Sequence, residues 1–298
     1  MSLTVTVSLD GTKDFKSIYE ALISLGSDEE PVTVKVSAGI YHERVNLKRN
    51  NVTLLGDENG ETVITASEYA FKDHEDGLKL GTFRTATFMA DCDNFTARNI
   101  TFENAAGQGA KVGQAIALYA DGMNQRYENC RMLGFQDTVF TAPLPPKEYQ
   151  KNGFIGEKQF APRRDSDIVF ERCRIEGNID YIFGSAKALF KDCVLFTRKR
   201  EDDGICFVTA PSTPEKNEVG YVFKNCRFES DGKKGSVFLA RPWREFACLS
   251  IIDSYMDESV NEIGYDDWNK PHEGLRFSER GSFGPGASKA RAPFVKVE

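Results

Sequence analysis

The sequence predicts an all-β protein, a single-stranded right-handed parallel β-helix whose N-terminal end is closed by a short helix. A unit of the form aromatic-x-x-Cys occurs four times, a short alternating stretch follows each unit, and Gly, Asn and Asp separate the units. Repeats at roughly 20 to 45 residues indicate a solenoid, in which each coil stacks on the previous one. A β-sandwich is the alternative, because short strands joined by turns suit that architecture too.

The repeated units differ in spacing but keep one pattern. Their cysteines are 43, 20 and 33 residues apart, and a related unit without cysteine spans residues 95–102. Strands this short and closely spaced leave no room for crossover helices. The four aromatic and cysteine pairs are Tyr127/Cys130, Phe170/Cys173, Phe190/Cys193 and Phe223/Cys226.

The two ends of the chain are expected to differ in structure, with a helix near the N-terminus and a polar segment at the C-terminus. Apolar residues at 15, 18, 19, 22 and 25 follow helical spacing after Asp14, the expected N-cap. A helix there would cover the open end of the solenoid. Val32–Val36 and Val52–Leu55 are the expected first strands, and the polar tail after Trp268 is expected to pack along the outside.

One domain is expected over residues 1–298, with a loop inserted at residues 143–165. That stretch is rich in Pro, Gly and charge and has no sustained apolar period, which is typical of a loop. Without it, about one coil separates Asp137 from Asp180. The loop leaves its coil just after Asp137, a position from which it could wall a cleft.

Composition excludes several classes of function. A net charge of −7 argues against a nucleic-acid partner, although a local basic cleft stays compatible with a polyanionic ligand. No apolar run approaches the roughly 18 residues of a membrane span. Seven cysteines without a C-x-x-C pair indicate reduced core thiols. We expect a monomer in the cytoplasm, since no export signal is visible; a secreted protein with its signal removed would present the same sequence.

Familiar catalytic motifs are missing from the sequence. There is no G-x-S-x-G elbow, and the three histidines lack the H-E-x-x-H spacing of a metal site. The glycines at 107, 109 and 113 do not fit G-x-G-x-x-G. We therefore expect no metal and no cofactor, and the chemistry is left to Asp, Arg and Gln.

Asp137 and Asp180 are the strongest indication of chemistry, because each lies seven residues past the cysteine of its unit. Stacked coils would bring equivalent positions to about 4.8 Å, one strand spacing. Two carboxylates that close push their pKa values apart, so that one can act as an acid while the other stays charged.

Six short segments follow one another along nearly the whole chain: DGTKDF at 10–15, GIYHE at 39–43, QAIAL at 114–118, QDTV at 136–139, DYIFG at 180–184 and LARPW at 239–243. In this order they resemble the pectin methylesterases, which are parallel β-helix carbohydrate esterases. A seventh segment, GYDDW at 264–268, is similar to the family's G-W-x-x-W.

The resemblance implies a catalytic role for five residues. Asp180 would attack the carbonyl carbon of a galacturonate methyl ester, and Asp137 would protonate the departing methanol and then activate water. Gln114 and Gln136 would donate hydrogen bonds to the oxyanion. Arg241 would pair with Asp180, which keeps that carboxylate ionised and aimed.

The resemblance also implies contacts with the sugar. Phe183, Trp243 and Tyr181 would contact the ring, Thr82 would line the cleft, and Trp268 would bind substrate as well. Tyr181 stands where the family has Phe. Basic residues of the 143–165 loop could contact acidic uronates, or the loop could simply be solvated; they are Lys147, Lys151, Lys158, Arg163 and Arg164.

The implied function is hydrolysis of methyl esters in pectin or methylated oligogalacturonides, without metal or cofactor. Three alternatives stay open at this point. The same scaffold could cleave the polysaccharide chain as a hydrolase or lyase, since two close carboxylates also suit a retaining glycosidase. It could hydrolyse another ester or thioester. It could also be a pectin-binding relative whose site has decayed.

Overall fold

The computed structural model, which describes residues 3–26 and 29–298, is a parallel β-helix. Most coils contribute one strand to each of three sheets in the order A, B, C, and each strand pairs in parallel with its counterpart on the next coil. The sheets of the described residues contain eleven, eight and seven strands. This parallel stacking confirms the predicted solenoid and excludes the β-sandwich.

The strands are short, as the sequence pattern predicts. Sheet A contains Leu3–Val7, Val32–Val36, Val52–Leu55, Thr96–Arg98, Gln125–Glu128, Asp167–Glu171, Lys187–Lys191, Tyr221–Lys224, Cys248–Ile252, Arg276–Arg280 and Val295–Val297. Sheet B contains Gly39–His42, Thr62–Ala66, Ile100–Asn104, Arg131–Leu133, Arg174–Gly177, Val194–Thr197, Arg227–Ser230 and Tyr255–Met256. Sheet C contains Val45–Leu47, Phe88–Asp91, Leu118–Asp121, Val139–Thr141, Ile179–Gly184, Cys206–Pro211 and Val237–Ala240.

Helices are few and short. The described residues form α-helices at Ile18–Ser24 and Gly109–Val112 and a 3₁₀ turn at Thr82–Arg84. None of these helices has the length and apolar character that crossing a bilayer would require.

The repeated aromatic and cysteine positions form two columns inside the solenoid. Tyr127, Phe170, Phe190 and Phe223 stack face to face, with centroid separations of 4.9, 4.8 and 4.4 Å. Beside them, the four cysteine thiols each donate to a carbonyl of the preceding coil, at 3.3–3.5 Å. All seven cysteines are buried and free, as predicted. Each stacked pair contributes about 0.5–1.5 kcal/mol beyond its burial, so the repeat is the packing unit of the core.

The turns between sheets A and B use a left-handed residue on successive coils. Asn99, Asn129 and Asn225 have φ near +55°, and Asn129 donates to the Asn99 side chain at 2.6 Å. Asn tolerates this conformation better than most residues, because its short polar side chain bonds locally. Arg172 occupies the same turn position on its coil, with φ +52°, and interrupts this column of turn residues.

The predicted N-terminal helix is present and closes the solenoid, but its predicted cap was wrong. Ser17 is the N-cap and accepts from Glu20 N, while Asp14 accepts from the backbone and hydroxyl of Thr6. Glu43 of a later coil accepts from the backbone N–H groups at positions 18 and 19 at 3.1 and 2.8 Å. A carboxylate from another coil thus satisfies helix donors that sequence reasoning assigned to a local residue.

The tail after Trp268 continues the solenoid instead of packing along its outside. Arg276–Arg280 and Val295–Val297 add two strands to sheet A. Between these two strands, Arg291 forms a fully buried ion pair with Glu279, at 3.0 Å. The apolar core accordingly runs without interruption from Val5 to Ala292.

Candidate active site

A cleft of about 320 Å³ lies on the outer face of sheet C. Nine of the ten residues that the sequence assigns to the site line it. They are Asp137, Asp180, Arg241, Gln114, Gln136, Thr82, Phe183, Trp243 and Trp268.

Asp137 and Asp180 lie at matching positions on adjacent coils. Val139 pairs with Ile182 and Gln136 with Ile179, and this constant offset places the two aspartates opposite each other. Both have left-handed backbones, with φ of +65° and +48°, and both are buried. Aspartate is one of the few side chains that tolerate this conformation. The coil stacking therefore produces the carboxylate pair that the spacing predicts.

Arg241 holds one of the two carboxylates. Its Nε and Nη2 atoms donate to the two oxygens of Asp180 at 2.8 and 2.6 Å, a bidentate bond. The guanidinium lies between the rings of Phe207 and Trp268, at 4.0 and 3.9 Å from their centroids. With its plane clamped on both faces, Arg241 fixes the orientation of Asp180.

The two carboxyl groups differ in proton affinity. Burial raises the pKa of Asp137 well above its ordinary value, the negative charge of Asp180 raises it further, and Arg241 opposes the rise. Burial also raises the pKa of Asp180, and the charge of Asp266 adds to the rise, but the hydrogen bonds and charge of Arg241 oppose it, so that the net rise is smaller than for Asp137. Asp137 is consequently the member of the pair that keeps its proton.

Gln114 and Gln136 supply neutral amides beside the aspartates. Gln136 immediately precedes Asp137, and its carbonyl accepts from Ala115 N at 3.1 Å, which brings Gln114 alongside. The side chain of Gln136 packs on Gly109, where a Cβ would come within 2.3 Å of Oε1. Neither side-chain amide bonds to another described residue, so both keep free donors.

Aromatic and apolar side chains form the floor and one wall of the cleft. A row on the outer face of sheet C runs through Met89, Tyr119, Phe140, Phe183 and Ala210. Phe183 meets the edge of Trp243 at 5.7 Å between centroids. Phe154, from the inserted loop, meets Trp243 at 6.1 Å. The loop therefore walls the cleft, as its position predicts.

Tyr181 is a correction, since it does not reach the cleft. It is fully buried in the central core, where its hydroxyl lies 3.0 Å from Thr197 Oγ1. The left-handed backbone at Asp180 and a register shift between Ile179 and Ile182 break the alternation of the strand. Tyr181 and Ile182 both turn inward as a result.

The cleft also contains residues that sequence reasoning missed. Among them, Arg244 directly follows the R-P-W segment, and that position could have indicated it. None of the other missed residues belongs to a motif named above. The missed residues are Phe83, Tyr149, Gln150, Gly153, Phe154, Ala210 and Arg244.

The basic residues suggested from the loop do not line the cleft. Lys158 instead binds Asp91 and Asp121 at 2.6 and 2.9 Å. Arg163 donates to four carbonyls within the loop. Lys158 fastens the loop to the solenoid, and Arg163 holds the loop in its own shape.

Comparison with known proteins gives consistent relatives. The sequence model of the Pectinesterase family matches residues 4–155 and 164–294. Pectinesterase 31 of Arabidopsis thaliana is 32% identical, covering 98% of this chain and 86% of its own length. A pectinesterase of Petunia integrifolia is 31% identical, covering 95% of this chain and 71% of its own length.

Solved structures give the same answer at the level of the fold. Pectin methylesterase PemA from Erwinia chrysanthemi superimposes with a TM-score of 0.80 at 27% identity, covering 100% of this chain and 93% of that one. The carrot pectin methylesterase gives 0.81 at 28% identity, with coverage of 99% and 88%. A pectin methylesterase solved with a hexasaccharide gives 0.82 at 27% identity, covering 100% and 93%. The chain therefore belongs to the pectinesterase family.

Proposed function

We propose that Asp180 and Asp137 carry the chemistry of this enzyme, which is a carboxylic ester hydrolase acting on the methyl esters of pectin. The observation that carries the assignment is the buried carboxylate pair in which Arg241 binds one member only. That asymmetry favours ionisation of Asp180, the proposed nucleophile, and protonation of Asp137, the proposed acid.

In the first step, an Asp180 oxygen attacks the ester carbonyl carbon of a methylated galacturonate. The carbonyl electron pair moves onto oxygen, where the amides of Gln114 and Gln136 donate hydrogen bonds to it. Loss of one such donor typically costs about 3–4 kcal/mol of barrier. As the tetrahedral intermediate collapses, the C–O bond to the methoxy group breaks and Asp137 gives it a proton. Methanol leaves and an acyl-enzyme anhydride on Asp180 remains.

In the second step, Asp137 is ionised and takes a proton from water. The hydroxide attacks the same carbonyl carbon, and the bond to Asp180 breaks. The galacturonate leaves as a carboxylic acid that loses its proton to solvent, Asp180 returns to its ionised form beside Arg241, and Asp137 is protonated again. Each group ends in its starting state, so the cycle needs no metal and no further cofactor.

The cleft suits a sugar chain as the ligand, and the enzyme binds pectin-derived oligosaccharides. We assign Phe183 and Trp243 to contacts with the apolar face of the ring, since aromatic faces pack against sugar C–H groups. Thr82, from the 3₁₀ turn, lines the cleft as well. Trp268 contributes indirectly as well, because its ring covers Arg241. A monomer and a cytoplasmic location stay predictions, which gel filtration and cell fractionation would test.

Methanol release from methylated pectin tests the assignment. Asp180→Ala and Asp137→Ala should each reduce kcat by at least about a thousandfold, as removal of catalytic-unit members does in other hydrolases. Asp73→Ala, which removes an exposed carboxylate outside the cleft, should stay near wild type. Circular dichroism of each variant serves as the control that the protein is folded. Substantial activity in Asp180→Ala would remove the proposed nucleophile.

A second assay on the same reactions distinguishes chain cleavage from ester hydrolysis. Reducing ends report a glycosidase and unsaturated uronides report a lyase, whereas an esterase gives neither. We expect methanol and new carboxylates in equal amounts, with no change in chain length.

A further inference from the structure

The side-chain amide of Gln136 is held in place by packing. Gln136 lines the cleft, and none of the hydrogen bonds among residues 3–26 and 29–298 involves its side chain. A donor to an oxyanion is effective only when it is in place before the charge develops. A neighbouring element therefore has to fix this amide, and the short helix Gly109–Val112 is the element that lies against it.

Gly109, the first residue of this helix, lies along the Gln136 side chain. A Cβ at position 109 would come within 2.7 Å of Gln136 Cβ and 3.2 Å of its Cδ, and it would lie closer still to Oε1. Gly109 is buried, and its φ is not positive, so the backbone conformation does not require glycine. The close approach to Gln136 is what excludes a side chain at this position.

The same contact orients the amide. Oε1 of Gln136 is the atom nearest to the position of a Cβ on Gly109, which leaves Nε2, the donor of the amide, for the oxyanion. A methyl group at position 109 would not be relieved by rotation of the amide alone, because it would also meet the Gln136 Cβ. The amide and the backbone that carries it would have to shift.

The helix is anchored to the coils that carry the two aspartates. Gln108, its N-cap residue, accepts from Asn178 Nδ2 at 2.7 Å and donates to the Lys199 carbonyl at 3.2 Å. Asn178 is only 2% exposed and lies two positions before Asp180. Its backbone N–H donates to the Phe135 carbonyl of the preceding coil at 2.9 Å. These bonds fix the helix relative to the reacting groups.

The other end of the helix leads directly to the second amide. Gly113 ends the helix, with its N–H bonded to the Gly109 carbonyl at 2.7 Å, and Gln114 follows it. Ala115 N then donates to the Gln136 carbonyl at 3.1 Å. One short segment therefore contacts or carries both of the amides assigned to the oxyanion.

We propose that the segment 108–113 is a positioning element for the oxyanion donors, and that Gly109 is the residue through which it holds the Gln136 amide. The inference rests on the proposed function and extends it to residues that the two chemical steps do not use. Gly109 acts through Gln136, so a change at position 109 should affect the chemical step more than substrate binding.

Methanol release from methylated oligogalacturonides, with kcat and KM measured separately, tests the role of Gly109. Gly109→Ala should lower kcat by about 10- to 100-fold, the scale of a catalytic group displaced by about 1 Å, and should change KM by less than about twofold. Gly232→Ala is the matched control, because its φ is not positive either and the nearest atoms outside the cleft are two serine hydroxyls. It should keep the wild-type kcat. A wild-type kcat in Gly109→Ala, or a rise in KM alone, overturns the inference.

A double-mutant cycle shows whether Gly109 acts through the Gln136 amide. Gln136→Ala alone should lower kcat by about 100- to 1,000-fold. In that background, Gly109→Ala should lower kcat by less than about threefold further, because the amide that it displaces is already gone. A loss of the same size in both backgrounds would show that Gly109 acts elsewhere, and it would overturn the inference.

Gln108→Ala tests the anchor of the helix without crowding Gln136, and it keeps the test available if Gly109→Ala does not fold. Loss of the bonds to Asn178 and to the Lys199 carbonyl should lower kcat by about three- to tenfold, with KM unchanged. A wild-type kcat in this variant overturns the role of the segment.

The pH profile of kcat/KM separates an effect on the amide from an effect on the neighbouring aspartate. Gly109→Ala and Gln108→Ala should keep both limbs of the wild-type profile, since neither variant changes the surroundings of the carboxylate pair. A shifted alkaline limb would show that Asp137, next to Gln136 in sequence, has been displaced instead, and it overturns the inference.

The outcomes distinguish this inference from the proposed function. No methanol release by wild type overturns both. A wild-type kcat in Gln136→Ala removes Gln136 from the oxyanion and overturns the inference, while the roles of Asp137 and Asp180 stand. An impaired Gln136→Ala beside an unimpaired Gly109→Ala overturns the inference alone.

Discussion

Replacing Arg241 with Met should lower the free energy of unfolding, because it breaks the ion pair between Arg241 and Asp180. The pair is bidentate, at 2.8 and 2.6 Å, and its side chains are only 18% and 10% exposed. Solvent screening is therefore weak. Breaking a buried pair by removing one partner leaves an uncompensated charge, which typically costs about 3–5 kcal/mol. We expect a loss of that size in the free energy of unfolding at pH 7.

The loss should depend on pH in a defined direction. Without Arg241, nothing offsets the burial that raises the pKa of Asp180. A carboxyl group with a raised folded-state pKa favours folding below its unfolded-state pKa, and that contribution disappears as pH rises through the folded-state value. The variant should therefore be least stable, relative to wild type, at neutral and alkaline pH. The difference should narrow as pH falls toward the ordinary Asp value of 3.8.

Urea denaturation at pH 7 and near pH 4.5, followed by circular dichroism, measures both effects. The double variant Arg241→Met with Asp180→Asn is the matched control, because it removes both charges and should recover most of the lost stability. A loss below about 1 kcal/mol at pH 7 would refute the reasoning, as would an equal loss at both pH values. Failure of the double variant to recover would show that Arg241 acts through packing against Phe207 and Trp268 instead.

Two further predictions concern proton affinity and the turn column. The pH profile of kcat/KM for methanol release should be bell-shaped, because Asp180 must be ionised and Asp137 protonated. The acid limb reports the ionisation of Asp180, and the alkaline limb reports the loss of the proton from Asp137. A rate that stays maximal far into the alkaline range would contradict the assignment. Arg172→Asn should stabilise the fold by about 1 kcal/mol, since Asn suits φ +52° and the exposed bond to Glu171 contributes little. Thermal unfolding measures this, with Arg172→Ala as the control that should not stabilise.

The sequence predicts the solenoid because the unit that packs in the core, aromatic-x-x-Cys, recurs along the chain. Tyr127 and Phe170 recur with their cysteines at the same offset, and stacking makes equal offsets into direct contacts. The errors arose where the partner comes from another coil. Besides the N-cap Ser17, Glu43 accepts from the backbone N–H of Ile18, 25 residues away, and nothing near Asp14 in sequence indicates this. The tail was mistaken for a covering segment, because Arg276–Arg280 mixes polar residues with only a few buried positions.

The site divides in the same way. Asp137, Asp180 and Arg241 could be predicted, because short motifs fix their positions and the coil repeat fixes their register. Tyr181 could not, since a left-handed residue and a register shift reverse the side-chain direction that simple alternation implies. Tyr149 could not be placed either, because the path of the inserted loop depends on long-range ion pairs such as that of Lys158 with Asp121.

The proposed division of roles between the aspartates depends on which coil supplies the guanidinium of Arg241. Coil stacking alone would give two equivalent carboxylates about one strand spacing apart, each raising the pKa of the other. Arg241 comes from two coils beyond Asp180, with its backbone N–H bonded to Thr209 O. From there it forms its bidentate bond with the nearer carboxylate, Asp180, and acts on Asp137 only through its charge. The order of the coils thus makes the two members of a symmetric repeat unequal, as the proposed roles of acid and nucleophile require.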